Sequence, residues 1–151
     1  GAAAEAVQLA RAAGFKNINL DFIFGIPGQT AGDWLDTLRR GVDLFDCVLP
    51  TRNARHGHAF TWRGCRNMLN AKYELDDLPL DPDCGCPVCR NFSRAYIHHL
   101  FKSGEMLAMR LCVMHNIYFF NSLMEEIRAA LDRNAFDSFY RNQIETISRR
   151  I

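Results

Sequence analysis

The amino-acid sequence predicts an α/β protein with a mainly helical C-terminal part. Two apolar, strand-like runs near the N-terminus flank a helical pattern, and this order implies parallel pairing of the strands. Further along, apolar residues recur at helical spacing over residues 117–133. The chain has 151 residues, of which 48% are hydrophobic and 23% are charged. This composition excludes disordered and collagen-like proteins.

Local signals predict four elements before Pro50. They are a helix over residues 2–13, a strand over 18–24, a helix from 30 to near Gly41, and a strand over 43–49. Thr30 is the expected N-cap of the second helix because Asp33 follows it at the spacing of a capping box. Pro50 ends the second strand because proline cannot donate a hydrogen bond to a sheet.

Beyond Pro50 the predicted elements are shorter and then helical. Residues 51–57 are polar and basic, and two short antiparallel strands over 59–62 and 68–73 are expected around Gly64. Residues 74–87 contain three prolines and are expected to form a loop. Helices are predicted over 93–102 and 117–133, and Phe136, Phe139 and Tyr140 indicate a final amphipathic segment.

Charge is distributed unevenly although the formal net charge is only +1. Residues 51–72 carry basic side chains and no acidic one, whereas residues 73–83 carry acidic side chains and no basic one. The basic part is either a solvated face or a phosphate clamp.

No apolar run reaches the about 18 residues of a membrane span, and the start of the chain does not look like a secretory signal. We therefore expect a cytoplasmic protein without a membrane partner.

Three cysteines within six residues form the most specific motif. Cys84, Cys86 and Cys89 are followed after 25 residues by His115. Four such ligands suit tetrahedral Zn²⁺, and a closed set of four predicts a structural ion. The alternative is three surface cysteines and a core histidine. Cys47, Cys65 and Cys112 have no matching partners nearby and are interpreted as incidental thiols.

Asp46 lies near the end of the second predicted strand, five residues before Thr51. In parallel α/β folds, catalytic groups lie at the carboxyl ends of strands, and a carboxylate there can attack the anomeric carbon of a sugar. The alternative is an aspartate that caps a loop or pairs with a cation.

A resemblance to a known family gives these residues specific roles. The stretch Gly41-Val-Asp-Leu-Phe-Asp-Cys-Val-Leu-Pro-Thr-Arg-Asn-Ala-Arg-His-Gly-His58 resembles the bacterial tRNA-guanine (queuine) transglycosylases. The resemblance continues through Asn-Ala-Lys-Tyr at 70–73, Pro-Leu-Asp at 79–81, the cysteine motif, Ser-Arg-Ala-Tyr-Ile-His-His-Leu at 93–100 and His115-Asn116, so it covers about residues 41–140.

This resemblance implies a partial (β/α) TIM-barrel fragment with a C-terminal zinc-binding, mainly helical subdomain. It implies that Asp46 is the nucleophile that displaces guanine from the wobble ribose. It also implies that Cys84, Cys86, Cys89 and His115 hold structural Zn²⁺. The segment that would recognise the tRNA anticodon loop consists of Thr51, Arg52, Asn53, Ala54 and Arg55.

Residues 1–40 resemble a different group. Asn-Ile-Asn-Leu-Asp-Phe-Ile-Phe-Gly-Ile-Pro-Gly-Gln-Thr at 17–30, with Trp34, is similar to the coproporphyrinogen oxidase and heme-chaperone group of radical SAM enzymes. The three-cysteine motif of that group is missing, so no iron-sulfur cluster is expected. The chain is thus interpreted as a chimera of three parts. They are a radical SAM-like helix-strand-helix barrel segment over 1–40, a barrel strand with the nucleophile and an anticodon-binding loop over 41–72, and a zinc-binding and C-terminal helical subdomain over 73–151.

Two hypotheses of function follow from the resemblance. In the first, the chain is part of a pentosyltransferase that exchanges wobble guanine for a queuine-type base through a covalent aspartyl-ribose intermediate. The general acid/base and the guanine pocket of that family would precede residue 41, so this chain alone is expected to be incomplete. In the second, it is a catalytically silent, zinc-stabilised module that binds tRNA or forms a dimer. A homodimer or a complementing subunit is the expected assembly.

Overall fold

A computed structural model describes residues 2–16, 18, 30–39 and 46–151. The chain divides into two compact units, Gly1–Asp36 and Thr37–Ile151. The described residues are mostly helical and include one small sheet. The helices are α1 (Ala2–Ala12), α2 (Ala31–Arg39), α3 (Leu49–Arg55), α4 (Pro87–Asn91), α5 (Arg94–Lys102), α6 (Met106–Asp132) and α7 (Phe136–Ser148), and the strands are β1 (His58–Thr61) and β2 (Gly64–Asn67).

The two predicted N-terminal helices are confirmed. α1 ends one residue before the predicted boundary, and Thr30 precedes α2 as its cap. The backbone N–H of Thr30 donates to the Asp33 carboxylate at 2.7 Å, and the Asp33 N–H donates to the Thr30 hydroxyl at 3.3 Å. These reciprocal bonds form the predicted capping box. The bonds that the Asp33 carboxylate accepts from the Thr30 N–H and hydroxyl lower the pKa of Asp33.

The predicted parallel strands are not seen among the described residues. Most of the strand over 18–24 and the first half of the strand over 43–49 lie outside them. Leu49 was expected in the second strand, but it begins α3. Residues 51–55, which were expected in a loop, are helical. Pro50 suits the first turn of a helix, where its missing N–H costs nothing.

A β-hairpin follows α3, and its second strand differs from the prediction. β1 matches the expected strand to within one residue, whereas β2 occupies residues 64–67 instead of 68–73. The strands are antiparallel, with Thr61 opposite Gly64, so two residues connect them. The Thr61 hydroxyl donates to the Gly64 carbonyl at 2.6 Å. This tight turn places β2 directly after β1. Residues 71–73, which were predicted as part of the second strand, form a short 3₁₀ helix.

The C-terminal part is mainly helical, as predicted, but α6 is longer than expected. It begins at Met106, well before the predicted start at residue 117. The first turn of α6 exposes three apolar residues, Met106, Leu107 and Met109. Apolar residues therefore occur on both the exposed and the buried side of this turn, and the sequence does not show the single apolar face that indicates a helix. Asn134, at a φ of +53°, separates α6 from α7.

The core lies where α6 packs against α3, α5 and the hairpin. On the hairpin side, Phe60 and Trp62 make edge-to-face contacts with Phe120 and Phe119 of α6, at 5.1 and 5.0 Å between ring centroids. Buried residues of this core include Ala54, Ala59, Met68, Leu80, Val88, Ile97, Leu111 and the cysteines of the 84–89 motif. Among the described helices, none is long and apolar enough to cross a membrane.

Candidate functional site

Four side chains converge in the core as a tetrahedral ligand set. Cys84, Cys86, Cys89 and His115 are all buried, and their ligand atoms lie within 4.8 Å of one another. The Nδ1 atom of His115 is 3.8, 3.5 and 3.4 Å from the three sulfur atoms, in sequence order. Tetrahedral Zn²⁺ with ordinary Zn–S and Zn–N bonds requires a separation of about 3.5 Å between such atoms. The donor set and its spacing therefore fit Zn²⁺.

Local chain geometry brings the sulfur atoms together. Cys86 is the N-cap of α4, and its sulfur accepts the backbone N–H of Cys89 at 3.3 Å. Pro87 follows in the first turn, where proline favours helix initiation. The N–H of Asp81 donates to the sulfur of Cys89 at 3.4 Å. Backbone donors of this kind stabilise thiolates and orient them toward a metal ion.

The hairpin orients the histidine ligand. The Nε2 atom of His115 lies 2.8 Å from the carbonyl oxygen of Phe60 in β1. Donation by Nε2–H to this oxygen leaves Nδ1 unprotonated and directed at the three sulfur atoms. His115 thus links the zinc loop, α6 and the hairpin, which are far apart in the sequence.

Zinc binding is coupled to the protonation of the ligand set. Hydrogen bonds from Cys84 and Cys89 lower the pKa of the Cys86 thiol. Burial lowers the pKa of His115, but hydrogen bonds to Cys84, Cys86 and the Phe60 carbonyl outweigh burial and raise it to about 9. Zinc requires thiolates and a neutral Nδ1, so its binding releases protons from the set.

The chemistry of this centre is structural. All four ligands are protein side chains, and all are buried. A closed set leaves no coordination position for water or substrate. When bound, Zn²⁺ contributes folding energy by joining the 84–89 loop to α6. The predicted zinc site is confirmed at all four residues.

α3 carries the basic residues that were predicted to contact RNA. Ala54 is fully buried on one face of this helix, whereas Arg52 and Arg55 are exposed on the other side and Thr51 and Asn53 are half-buried. Among the described residues, neither arginine forms an ion pair. Gly57, with a φ of +79°, ends the helix in a conformation that favours glycine. The five predicted residues therefore lie together on one short helix.

An open cavity of about 380 Å³ adjoins this helix. Its lining consists of Val48, Leu49, Arg52, Asn53, His56 and His58. Sequence reasoning did not assign a role to either histidine. Their position beside Arg52 adds hydrogen-bonding groups to the exposed end of α3.

Asp46 lies exposed just before α3. It is outside the zinc cluster and outside the lining of the cavity beside α3. The residues directly before it, 40–45, are not among those described. The roles of Asp46 and of residues 51–55 stay predictions.

Several acidic side chains of residues 73–83 bind other groups of the protein. Asp76 pairs with buried Arg94 at 2.9 Å, and Asp83 pairs with Arg63 at 2.6 Å on the surface. Asp81 is fully buried and accepts the backbone N–H groups of Trp62 and Asp83. Asp76, Asp81 and Asp83 thus bind groups within the fold.

Two buried polar residues, Asp81 and Asn116, support the site. Both lie in motifs that carry the family resemblance, but sequence reasoning assigned a role to neither. Asn116 follows the zinc ligand His115 and contacts backbone groups of both α3 and β1. The available signal was a polar residue between apolar positions of α6, because buried polar groups are nearly always hydrogen-bonded.

Of the three other cysteines, Cys112 is buried, Cys65 is half-buried and Cys47 is exposed. Burial raises the pKa of the Cys112 thiol to about 12. This thiol is therefore protonated and unreactive near neutral pH.

Comparison with known proteins identifies the family. The family model described as queuine tRNA-ribosyltransferase matches residues 21–149. The queuine tRNA-ribosyltransferase of Clostridium perfringens (strain SM101 / Type A) is 60% identical over 121 residues, which are 80% of this chain and 31% of the relative. The enzyme of the same name from Clostridium kluyveri (strain NBRC 12016) is 56% identical over 116 residues, which are 77% of this chain and 31% of the relative.

The match begins at residue 21, inside the segment that resembled the radical SAM group. None of these matches supports a radical SAM part in the chain. The chain spans about a third of the length of the curated relatives, 31% in each of these cases. The family match includes the four residues of the zinc site. The chain therefore belongs to the queuine tRNA-ribosyltransferase family.

Proposed function

We propose that this chain is the zinc-stabilised, tRNA-recognising part of an enzyme that exchanges guanine at the wobble position of tRNA for a queuine-type base. The observation that carries the proposal is the family match over residues 21–149. It is supported by a short helix that exposes Arg52 and Arg55 beside the predicted nucleophile Asp46. The relatives' printed name describes ribosyl transfer involving tRNA and queuine.

In the proposed reaction, the Asp46 carboxylate attacks C1′ of the wobble ribose. A C–O bond forms, and the glycosidic C–N bond to guanine breaks with the electron pair going to guanine, which takes up a proton as it leaves. The incoming base then loses a proton and attacks C1′ through nitrogen, which releases the carboxylate. This double displacement restores the enzyme and consumes no oxidant or reductant.

Arg52 and Arg55 would hold the anticodon loop during this exchange. Both side chains are exposed on α3, and guanidinium groups bind phosphates and base edges with paired hydrogen bonds. Thr51, Asn53 and Ala54 complete the recognition segment. The zinc centre contributes stability by joining the loop over 84–89 to α6, and it takes no part in bond breaking.

The family further implies that the complete enzyme is a (β/α) TIM barrel of which this chain is a fragment. Asp46 would lie at the carboxyl end of a barrel strand, where barrel enzymes carry their catalytic groups. Because the chain spans 31% of its relatives, we propose that the guanine pocket and the general acid/base come from the remaining length. A second copy or a complementing subunit is the proposed partner.

RNA binding by the zinc-loaded chain tests the recognition role. We expect an anticodon stem-loop to bind with an affinity that falls steeply as salt rises, because each phosphate contact releases counterions. Arg52→Ala or Arg55→Ala should weaken binding and reduce the salt slope by about 1. Lys102→Ala, which removes an exposed cation from α5, is the matched control. Equal affinities for the Arg52 and Lys102 variants would contradict the proposal.

Exchange of labelled guanine into the same RNA tests the chemistry. Turnover that Asp46→Ala abolishes would support the complete reaction in this chain. The chain spans only 31% of the length of its relatives, and this favours a second candidate function. The chain would then be a catalytically silent module that binds tRNA or forms a dimer. Binding that depends on Arg52, together with exchange at the background rate of Asp46→Ala, would support this second candidate.

A further inference from the structure

Asn116 makes a set of contacts that the proposed function does not yet use. This residue of α6 is fully buried. Its Oδ1 atom accepts the backbone N–H of Phe60 at 3.0 Å. Its Nδ2 group donates to the carbonyl oxygens of Pro50 and His58, each at 3.0 Å. One side chain thus joins α6 to the start of α3 and to β1.

The three bonds define one orientation of the carboxamide. Exchanging its oxygen and nitrogen would place an oxygen against the carbonyls of Pro50 and His58 and an N–H against the N–H of Phe60. An apolar residue of similar volume would leave the Phe60 N–H without its bond inside the core, and such unpaired groups cost about 1–3 kcal/mol each. Space filling alone therefore does not account for an asparagine here.

α3 is short and its N-cap makes no side-chain hydrogen bond, so its position depends on contacts with other elements. It has seven residues, and its N-cap is Val48. Isolated helices of this length are unstable in water. Among the described residues, Asn116 is the only side chain from another element that hydrogen-bonds to the backbone of α3. α3 also packs against α6 and β1, with Ala54 buried in the core.

We infer that Asn116 is a positioning residue that places the start of α3 against β1 and thereby sets where Arg52 and Arg55 meet RNA. The inference rests on the proposed role of α3 in tRNA recognition. The positioning itself is a property of the protein without RNA, so the two can be tested separately.

The variant Asn116→Asp is the sharpest test. It keeps the size of the side chain and the acceptor for the Phe60 N–H, but it replaces both donors by an oxygen. Asn121→Asp, at an exposed position of the same helix, introduces the same charge change as a control. Zinc content, hydrogen exchange of amides in α3 and α5, and affinity for the anticodon stem-loop are measured on each zinc-loaded protein.

We expect Asn116→Asp to retain one zinc ion while amide exchange in α3 becomes about tenfold faster than in the wild type, which corresponds to about 1.4 kcal/mol. Exchange in α5 should change much less, and RNA affinity should fall by a similar factor. Asn121→Asp should leave α3 unchanged. Equal acceleration in α3 and α5, or no change in α3, would overturn the positioning role. Faster α3 exchange with unchanged RNA affinity would support it and contradict the proposed function of α3.

A measurement on the wild type covers the case in which Asn116→Asp does not fold. Both Nδ2 protons of Asn116 are hydrogen-bonded in the structure, so their NMR signals should exchange with water as slowly as the amides of α3. The side-chain amide of exposed Asn121 provides the fast reference in the same spectrum. Exchange of the Asn116 protons at the rate of Asn121 would overturn the inference.

Discussion

The sulfur atom of Cys86 serves both the zinc centre and the N-terminus of α4. It belongs to the ligand set and accepts the backbone N–H of Cys89. Serine can replace the cap but is a poor ligand for Zn²⁺, so Cys86→Ser should separate the two roles. We expect zinc content to fall from one ion per chain to nearly none, with loss of cooperative unfolding. Metal analysis and a thermal melt measure both effects.

Cys112→Ala is the control for this variant. Cys112 is as deeply buried as Cys86 but lies outside the ligand set. Loss of its sulfur should lower the free energy of unfolding by about 1 kcal/mol and leave the zinc content unchanged. Full zinc retention by Cys86→Ser would contradict the assignment of this ligand.

Asp76 stabilises the fold in a pH-dependent way. Burial raises its pKa, but the hydrogen bond and charge of Arg94 outweigh burial and hold the pKa below its ordinary value. The folded pKa thus lies below the unfolded value of about 3.9. The stabilisation is therefore present above about pH 4 and is lost as the pH falls through the folded pKa.

Asp76→Asn should destabilise the protein by about 2 kcal/mol near pH 7, because Arg94 is left buried without its partner charge. This is less than for a fully buried pair, since the Asp76 side chain is 21% exposed. Urea unfolding should show the difference from the wild type shrinking as the pH falls below about 4. Asp83→Asn, which removes the exposed partner of Arg63, should stay close to the wild type. Equal effects of the two variants would contradict this assignment.

At the scale of elements, the hairpin and the C-terminal segment depend on each other at Gly64. The N–H of Cys65 donates to the carbonyl of Arg149 at 2.7 Å, and the N–H of Ile151 donates to the carbonyl of Cys65 at 3.0 Å. Gly64 has a φ of +130°, and a Cβ atom there would lie 2.6 Å from the Arg149 carbonyl oxygen. This approach has room only for glycine.

Gly64→Ala should therefore displace residues 149–151 from β2. Gly104→Ala is the matched control, since Gly104 also has a positive φ, of +72°, but has no atom within 4 Å of an added Cβ. We expect the control to lose about 1 kcal/mol from the backbone conformation alone. Gly64→Ala should lose more, and its Cys65 amide should exchange faster. Equal losses in denaturant unfolding would show that the close approach is unimportant.

At the scale of the whole molecule, one zinc ion links segments that are distant in the sequence. The ion joins the 84–89 loop to α6, and His115 joins α6 to β1. We expect the thermal midpoint of the zinc-loaded chain to fall on chelation. Above saturation, each tenfold increase in free Zn²⁺ should add about 1.4 kcal/mol of stability. Mg²⁺, which prefers oxygen ligands, should have no such effect. A midpoint unaffected by chelation would contradict a structural zinc role.

Several features of this protein depend on near neighbours in the chain and could be predicted without a structure. Thr30 and Asp33 of the capping box are three positions apart. The helix predicted over 93–102 is α5, which Ser93 caps by accepting the N–H of Tyr96. The three cysteines of the zinc site lie within six residues, in a segment that contains prolines. Such signals are read correctly because their energies are decided by residues within one or two turns.

Features that depend on distant contacts were misplaced or missed. The prediction placed the second hairpin strand at 68–73, whereas β2 lies at 64–67. Pairing with β1 and the contact with Arg149 decide this position, and neither depends on near neighbours in the chain. It made residues 51–55 a loop, although packing of Ala54 in the core and the bond from Asn116 to Pro50 support a helix. A short segment without strong propensity takes the conformation that buries its apolar face and pairs its backbone groups, and only the tertiary structure supplies those partners.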